Sequence, residues 1–172
     1  MEALLREWLT SRPLTAFLQR DAGVWLWSLC ETFHFVGLCL LIGIVGMFDL
    51  RVLGMAKGLP LAALKRLLPW GVLGFLICLM TGMVFVLGMG ANTFGESAYD
   101  VIGRDGYLQL KLGFIFLAGL NVLAFYLTGS ARRADDLGAG DDAPRLAKVI
   151  AGTSLFLWIG VIIFGRLIQR AL

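Results

Sequence analysis

Histidine and charged residues are scarce in this chain of 172 residues. His34 is the single histidine, and charged residues make up 16% of the sequence. Apolar residues make up 59%, which is too high a share for a soluble globular domain and is typical of a protein whose solvent is lipid. The net charge of +3 is small and spread over several segments, so nucleic acid is not an expected partner. The sequence therefore predicts an integral membrane protein whose main surroundings are the lipid bilayer.

Cysteine is also scarce, and the common catalytic motifs are absent. Cys30, Cys39 and Cys78 all lie in apolar runs, where neither a disulfide framework nor a cysteine-rich zinc site is expected. The sequence contains no CxxC, HExxH, GxSxG or glycine-rich phosphate loop, which leaves the common soluble enzyme classes without support. No catalytic residue is assigned, and an independent enzyme is the less favoured interpretation.

Four apolar runs are long enough to span a membrane, which takes about 20 residues for a helix. They occupy residues 23–48, 68–89, 107–127 and 146–167. The expected fold is all-α, a four-helix transmembrane bundle formed by residues 22–172. Within the second span, Gly74, Cys78 and Gly82 recur at four-residue intervals, which predicts that a neighbouring helix backbone approaches this face closely. Pro69 and Trp70 are expected to mark the start of that span.

Residues 1–21 form a separate segment before the first span. Leu4, Leu5, Trp8 and Leu9 follow helical spacing there, which predicts short amphipathic helices lying at the membrane surface. The alternative is that this apolar face covers the end of the bundle. The segment is too charged for the apolar part of a signal peptide, so no cleavage is expected.

The connections between the spans differ in charge. The first and third connections, with the adjoining helix ends, hold eight of the fifteen basic residues: Arg51, Lys57, Lys65, Arg66, Arg132, Arg133, Arg145 and Lys148. By the positive-inside rule these connections face the cytoplasm, and both termini face the periplasm or the exterior. Residues 128–142 mix arginines, aspartates and glycines, a composition that predicts a mobile, unpacked segment. Asp49 and Arg51 are expected to cap or pair at the membrane edge.

Four ionisable residues lie inside the spans. Glu31 and His34 are one helical turn apart in the first span, Lys111 is near the start of the third, and Arg166 is near the end of the fourth. Because successive spans alternate in direction, Glu31, Lys111 and Arg166 belong to the same half of the bilayer. His34 is one turn deeper, roughly at mid-membrane. Buried charges survive in lipid chiefly by pairing, so we expect Glu31 to pair with Lys111, Arg166 or both.

Two interpretations of this cluster are open. In the first, the three charged residues hold the helices together, and His34 forms a hydrogen bond with Asn121, Ser154 or a backbone carbonyl. In the second, His34 is a metal ligand or a proton relay, and the charged residues set its protonation or bind the carboxylates of a ligand. Asn121 is a further candidate for such a cofactor site.

Haem and copper are the cofactors that the residue types favour. A b-type haem would have its iron near His34 and its propionates near Lys111 and Arg166. A single histidine then requires a methionine as second ligand, a five-coordinate haem or a dimer that supplies two copies of His34. Copper is favoured by Met80 and Met83, which stand three apart on the second span, because thioethers suit Cu(I). Methionines at this spacing are more often core residues than ligands.

Several short motifs resemble a known family when they are taken together. They are ETFHFVG at residues 31–37, DLR at 49–51, QLKL at 109–112, GLN at 119–121 and GR at 165–166. The combination resembles a bacterial four-helix integral membrane family of unknown function, which is similar in turn to the membrane part of the copper resistance D group. The resemblance implies a four-helix bundle in a bacterial inner membrane. By looser analogy it implies copper handling or haem-dependent electron transfer.

The sequence therefore leads to two functional hypotheses. The first is a small redox or metal-handling membrane protein, a b-type haem or copper binder that serves a larger system. The second is a non-catalytic scaffold or accessory subunit whose polar cluster is structural. Both imply a homo-oligomer or a subunit of a membrane complex.

Overall fold

The computed structural model describes residues 23–92, 98–135 and 137–168, and these ranges contain helices and no strand. In chain order the helices are α1 (Gly23–Leu53), α2 (Leu61–Asn92), α3 (Ala98–Arg104), α4 (Gly106–Leu127), α5 (Ser130–Asp135) and α6 (Arg145–Ile168). Helices α1, α2, α4 and α6 are long and apolar enough to cross a membrane. The predicted all-α fold with four spans is confirmed, and the protein is a multi-pass membrane protein. The amphipathic helices predicted for residues 1–21 lie outside the described residues.

The first two spanning helices are longer than predicted. Helix α1 has 31 residues, or about 46 Å of length, whereas the hydrocarbon core is only about 30 Å thick. Helix α2 begins at Leu61 and contains Pro69 in its interior, although proline removes a helical hydrogen bond and usually ends a helix. The turns before this proline pack inward, with Leu61 and Leu64 only 1% and 8% exposed. Tertiary packing therefore stabilises a helical segment that Pro69 alone would interrupt.

The spanning helices follow the order α2–α1–α6–α4 across the bundle. Helix α1 packs along α2, α6 packs along α4, and the two hairpins meet through α1 and α6. The buried share of the most apolar stretch differs between the helices. It is 39% in α1 and in α6, but only 11% in α2 and 6% in α4. Helices α1 and α6 are therefore central, and α2 and α4 are flanking helices. At one end of the bundle Val86 of α2 packs in an apolar cluster that includes Val101 of α3 and Leu108 of α4.

Two glycines allow the backbones of α1 and α2 to touch. A Cβ atom at Gly37 would lie 2.9 Å from the Sγ atom of Cys78 and 2.9 Å from the carbonyl oxygen of Gly74. A Cβ atom at Gly74 would lie 2.7 Å from the carbonyl oxygen of Gly37. The predicted close approach to the face that carries Gly74 and Cys78 is confirmed, and the approaching helix is α1.

The middle of the bundle is an apolar cluster that joins α1, α4 and α6. Its buried members are Leu41, Ala118, Leu157, Trp158 and Val161. Helix α6 approaches α4 closely at Gly160, where a Cβ atom would overlap the ring of Phe114. A second cluster lies toward the first and third connections and includes residues of α1, α2, α5 and α6.

The third connection, between α4 and α6, is packed at α5, so the prediction that residues 128–142 do not pack is wrong for that part, whereas residues 138–142 are exposed. It contains α5 and contributes three alanines that are at most 7% exposed: Ala131, Ala134 and Ala143. Ala134 and Ala143 pack in the same cluster as Phe48 and Val52 of α1. The small alanine side chains lie between the charged ones, and they bury this connection against the bundle.

Arg51 joins the third connection to the first, which runs from α1 to α2. Its side chain is 0% exposed. The guanidinium group donates hydrogen bonds to the backbone carbonyl oxygens of Leu59 at 2.7 Å, Gly138 at 2.8 Å and Asp141 at 3.2 Å. Arg51 thus caps loop carbonyl groups, which is one of the two roles expected for it. In the described part of the chain it does not take the other role, an ion pair with Asp49.

A second set of contacts between the connections is exposed. The carboxylate of Asp142 pairs with Lys57 at 3.1 Å and with Lys148 at 2.7 Å, and the backbone N–H of Gly140 donates to the carbonyl of Lys57 at 3.0 Å. Hydrogen bonds from Lys148 and Lys57 hold the pKa of Asp142 below its ordinary value. The first and third connections therefore form one structure at the same end of the bundle.

Candidate functional site

His34 is positioned by the contact between α1 and α2. Its Nδ1 atom lies 2.7 Å from the Oγ1 atom of Thr81. The hydroxyl of Thr81 donates its own proton to the backbone, where the carbonyl oxygens of Ile77 and Cys78 lie at 2.7 and 3.3 Å. The threonine oxygen must then accept from His34. We therefore assign the imidazole proton to Nδ1, which leaves the lone pair of Nε2 available.

An aromatic ring contacts the imidazole of His34, and a thiol contacts its backbone. The ring of Phe85 meets it edge-on at a centroid distance of 5.3 Å, and Trp27 packs against Phe85 at 4.9 Å. The thiol of Cys78 donates to the backbone carbonyl of His34 at 3.5 Å. These contacts fix the ring in an apolar environment in which the Thr81 hydroxyl is the polar neighbour of Nδ1.

Lys111 reaches the same site from α4. Its Nζ, Cε and Cδ atoms would lie 3.4, 3.5 and 3.6 Å from a Cβ atom at Gly165 of α6, so this glycine leaves room for the lysine side chain. The charge of Lys111 acts on both His34 and Cys78, which puts its ammonium group within electrostatic reach of the α1–α2 pair. With the other described residues, Lys111 forms neither a hydrogen bond nor an ion pair.

The predicted pairing of Glu31 is not formed. Glu31 is partly exposed on α1, one turn before His34, and within the described ranges it forms no ion pair with Lys111 or Arg166. Lys111 instead extends along Gly165, and Arg166 is exposed near the end of α6 with another partner. Lys111 is thus within electrostatic range of His34 without contacting it, and Glu31 pairs with neither cation in the described ranges.

Asn121 lies away from His34. Its Nδ2 atom donates to the carbonyl oxygen of Ile150 at 3.1 Å. This hydrogen bond ties α4 to α6 in the half of the bundle that is nearer to the first and third connections. His34 is therefore bonded to Thr81 and not to Asn121 or Ser154, the side-chain partners that the structural interpretation named.

The two methionines proposed as copper ligands also lie away from His34. Met80 and Met83 are 65% and 48% exposed, and they lie about 100° and 160° around α2 from Thr81. The structure does not bring them together with the imidazole. Across the described ranges, no group of three or more His, Cys, Asp and Glu side chains is arranged to hold a metal ion.

Thr81 and Asp49 are polar residues whose importance the sequence reasoning missed. Thr81 lies 47 residues from His34, and nothing in its local sequence distinguishes it from a packing residue. Because Asp49 follows an apolar run, the sequence predicts that it caps the end of a helix or pairs with Arg51 at the membrane edge. The continuation of α1 to Leu53 instead carries Asp49 against α6, where it is 5% exposed and bonded to Ser154.

The histidine site therefore offers two chemical capabilities side by side. The Nε2 atom of His34 can bind a metal ion or accept a proton, and the ammonium group of Lys111 can bind an anionic group. His34 lies within the first hairpin, between α1 and α2, and Lys111 lies within the second, along α6. No family model, curated protein or solved structure matches this chain, so the resemblance to the four-helix membrane family stays a prediction from the motifs.

Proposed function

We propose that the protein is a haem-binding redox component of a larger membrane system, with His34 as an axial ligand of the iron. The observation that carries this proposal is the hydrogen bond from Nδ1 of His34 to Thr81. Histidines that bind metals almost always donate their other ring N–H to a fixed acceptor, which orients the ring and makes the ligating nitrogen more basic. Histidine is also a common axial ligand of haem iron.

Lys111 supports an anionic cofactor at this position. An ammonium group in a bilayer is costly unless a counter-charge compensates it, and no described residue forms an ion pair with Lys111. A haem propionate would supply the missing negative charge. Phe85 and Trp27 add an apolar wall that suits the face of a porphyrin. When bound, haem would supply one-electron transfer.

The positions of Met80 and Met83 bear on which group could be the second ligand of a haem iron bound by His34. Met80 and Met83 face away from His34, so neither suits a second ligand from the same chain. A five-coordinate haem, or a homodimer in which two chains each contribute His34, fits these residues better. A copper site of His34, Met80 and Met83 in one chain fits them less well, for the same reason.

The first test is an absorption spectrum, oxidised and dithionite-reduced, of protein purified gently from its native membrane, with metal analysis of the same sample. We expect a Soret band that shifts on reduction, and iron in the sample. His34→Ala should lose both. Thr81→Val should keep the fold but weaken haem binding by about 10–100-fold, the usual effect of removing such an outer partner. Native protein without a Soret band, iron or copper would contradict the proposal.

A non-catalytic scaffold or accessory subunit is the second candidate. The observation that favours it is the exposure of the flanking helices, since only 11% of the apolar stretch of α2 and 6% of that of α4 are buried within this chain. Such faces suit other subunits as well as lipid. For a scaffold, His34→Ala should leave the size of the native complex unchanged on a native gel, and the purified protein should carry no cofactor.

We also propose a bacterial inner membrane location with both termini in the periplasm. The support is the concentration of basic residues around the first and third connections, which share one end of the bundle through the contact between Gly140 and Lys57. His34 and Lys111 would then lie in the periplasmic half. A periplasm-dependent reporter fused after Leu172 should be active, and a cytoplasm-dependent one inactive; the reverse result would invert the orientation.

A further inference from the structure

A separate polar site lies where α1 meets α6, close to the first and third connections. The side chain of Asp49 is 5% exposed, and its Oδ2 atom has no hydrogen-bond partner in the part of the chain that the structure describes. The hydroxyl of Ser154 donates to the same carboxyl group, and Oδ1 must therefore be the acceptor. Asp49 is about 22 Å along α1 from His34, at 1.5 Å per residue, so the two sites are distinct.

The cations on α1 and α6 do not neutralise Asp49. Arg51, two residues further along α1, directs its guanidinium hydrogen bonds to the carbonyl oxygens of the two connections. On α6, Ser154 is the residue that bonds Asp49, and the next charged residue toward the connections is Lys148. Its ammonium group pairs with Asp142 at 2.7 Å.

The other neighbouring helices supply no counter-charge either. From α2, the ammonium group of Lys65 donates to the backbone carbonyl of Ala131 at 3.3 Å. From α4, Asn121 is neutral and its Nδ2 atom bonds the carbonyl of Ile150. Across the described ranges, Asp49 thus forms no ion pair with any Lys, Arg or His side chain.

A carboxyl group in this environment is far cheaper to bury as a neutral acid than as an anion. Transfer of an unpaired ion out of water costs much more than transfer of a neutral polar group, and proteins usually avoid that cost by protonating the group. A proton on Oδ2 of Asp49 removes the charge and leaves Oδ1 free to accept from Ser154. The absence of a hydrogen-bond partner for Oδ2 among the described residues fits this arrangement.

We infer that Asp49 is a proton-binding site, which holds one proton on Oδ2 in the folded protein at neutral pH and exchanges it with water at the end of the bundle that carries the connections. The carboxylate takes up one proton from water to give the neutral acid, with no other reactant. Asp49 lies four residues before the end of α1 at Leu53, or about 6 Å along the axis, so it is close to that end of the bundle.

Infrared spectroscopy of the full chain in lipid nanodiscs tests the inference. At neutral pH the wild type should show the carbonyl stretch of a protonated carboxyl group, and the band should shift in heavy water. Asp49→Asn should remove the band, because the amide keeps the shape of the neutral acid without its proton. The matched control is Asp142→Asn, which removes an exposed carboxylate that two lysines hold in the ionised form and should leave the band unchanged. Identical spectra for wild type and Asp49→Asn would overturn the inference.

A second pair of variants keeps the test decisive if Asp49→Asn does not fold. Ser154→Ala removes the hydrogen bond to the Asp49 carboxyl and should shift the frequency of the carboxyl band. Thr153→Ala changes the exposed neighbour on α6 and should not shift it. A band that responds to neither variant, or to both alike, would belong to another carboxyl group and would overturn the assignment to Asp49.

Discussion

Arg51 is a single buried cation on which the order of two connections depends. Its guanidinium fork serves three carbonyl groups from separate segments, and a lysine ammonium on a flexible stem does not reproduce that geometry. Each charge-assisted hydrogen bond that is lost costs about 1.5–3 kcal/mol. Arg51→Lys should therefore lower the free energy of unfolding in detergent by at least that amount. Arg132→Lys, an exposed control on α5, should leave it unchanged; equal effects of the two variants would refute this account.

Gly74 is the position where one added carbon should be most disruptive. A Cβ atom there would lie 2.7 Å from the carbonyl oxygen of Gly37 and 2.8 Å from the backbone nitrogen of Leu41, so α1 and α2 would have to separate. Overpacking of this kind costs about 1–3 kcal/mol, and Gly74→Ala should lower the thermal midpoint accordingly. At Gly43, a Cβ atom would meet nothing within 4 Å. Gly43→Ala should be neutral or stabilising by up to about 1 kcal/mol.

The expected effect of Glu31→Ala on the free energy of unfolding depends on whether the Glu31 carboxylate forms an ion pair. Had it paired with Lys111 or Arg166, Glu31→Ala would leave a buried cation without its partner and destabilise the bundle strongly. Since Glu31 pairs with neither in the described ranges, the substitution should change the free energy of unfolding by no more than about 0.5 kcal/mol. Denaturant unfolding in detergent measures this. A loss of several kcal/mol would indicate a charged partner outside the described residues.

At the scale of elements, the third connection should loosen in acid. Hydrogen bonds from Lys148 and Lys57 lower the pKa of Asp142, so its stabilising contribution is present above the ordinary aspartate value of about 4. That contribution is lost as the pH falls through the lower value of the folded protein. Hydrogen exchange at residues 137–144, corrected for intrinsic rates, should therefore accelerate below that pH.

Asp142→Asn is the matched control for this acid effect. The variant lacks the titrating group, so the same segment should exchange faster than in the wild type at neutral pH and show no further acid step. An acid step of equal size in both proteins would assign the effect to a different residue.

Helix positions were predictable wherever the boundary depends on hydropathy alone. The third and fourth spans, predicted at 107–127 and 146–167, match α4 and α6 to within one residue at each end. The first two spans continue beyond their predicted bounds because the ends of α1 and α2 pack against the third connection, which no local pattern reveals. The sequence singled out His34 and Lys111 because ionisable residues are rare in apolar runs. It did not reveal Thr81, since the contact with His34 depends on how α1 crosses α2.

At the scale of the whole molecule, the order α2–α1–α6–α4 was not predictable, because each span is apolar around most of its circumference and the few polar residues do not indicate which helix each one faces. Cross-linking of introduced cysteine pairs tests this helix order, in a variant that lacks Cys30, Cys39 and Cys78. Gly46→Cys with Leu155→Cys should cross-link through a short reagent, since a Cβ atom at position 46 would lie 3.9 Å from the Leu155 side chain.

The control pair for this order lies on the flanking helices. Leu76→Cys and Phe116→Cys replace exposed residues of α2 and α4 away from the end where these helices share an apolar cluster, and they should not cross-link within one chain. Efficient cross-linking of this pair in a monomer would indicate a closed arrangement in which the flanking helices meet.

The helix order also bears on how the chain is assembled in the membrane. Each hairpin, α1 with α2 and α4 with α6, forms between helices that leave the ribosome one after the other, so both can pair as soon as they are inserted. The contact between α1 and α6 joins the first and the last of these spanning helices and must wait until α6 has been synthesised. We therefore expect two co-expressed halves, cut between α2 and α3, to insert separately and to associate afterwards through α1 and α6.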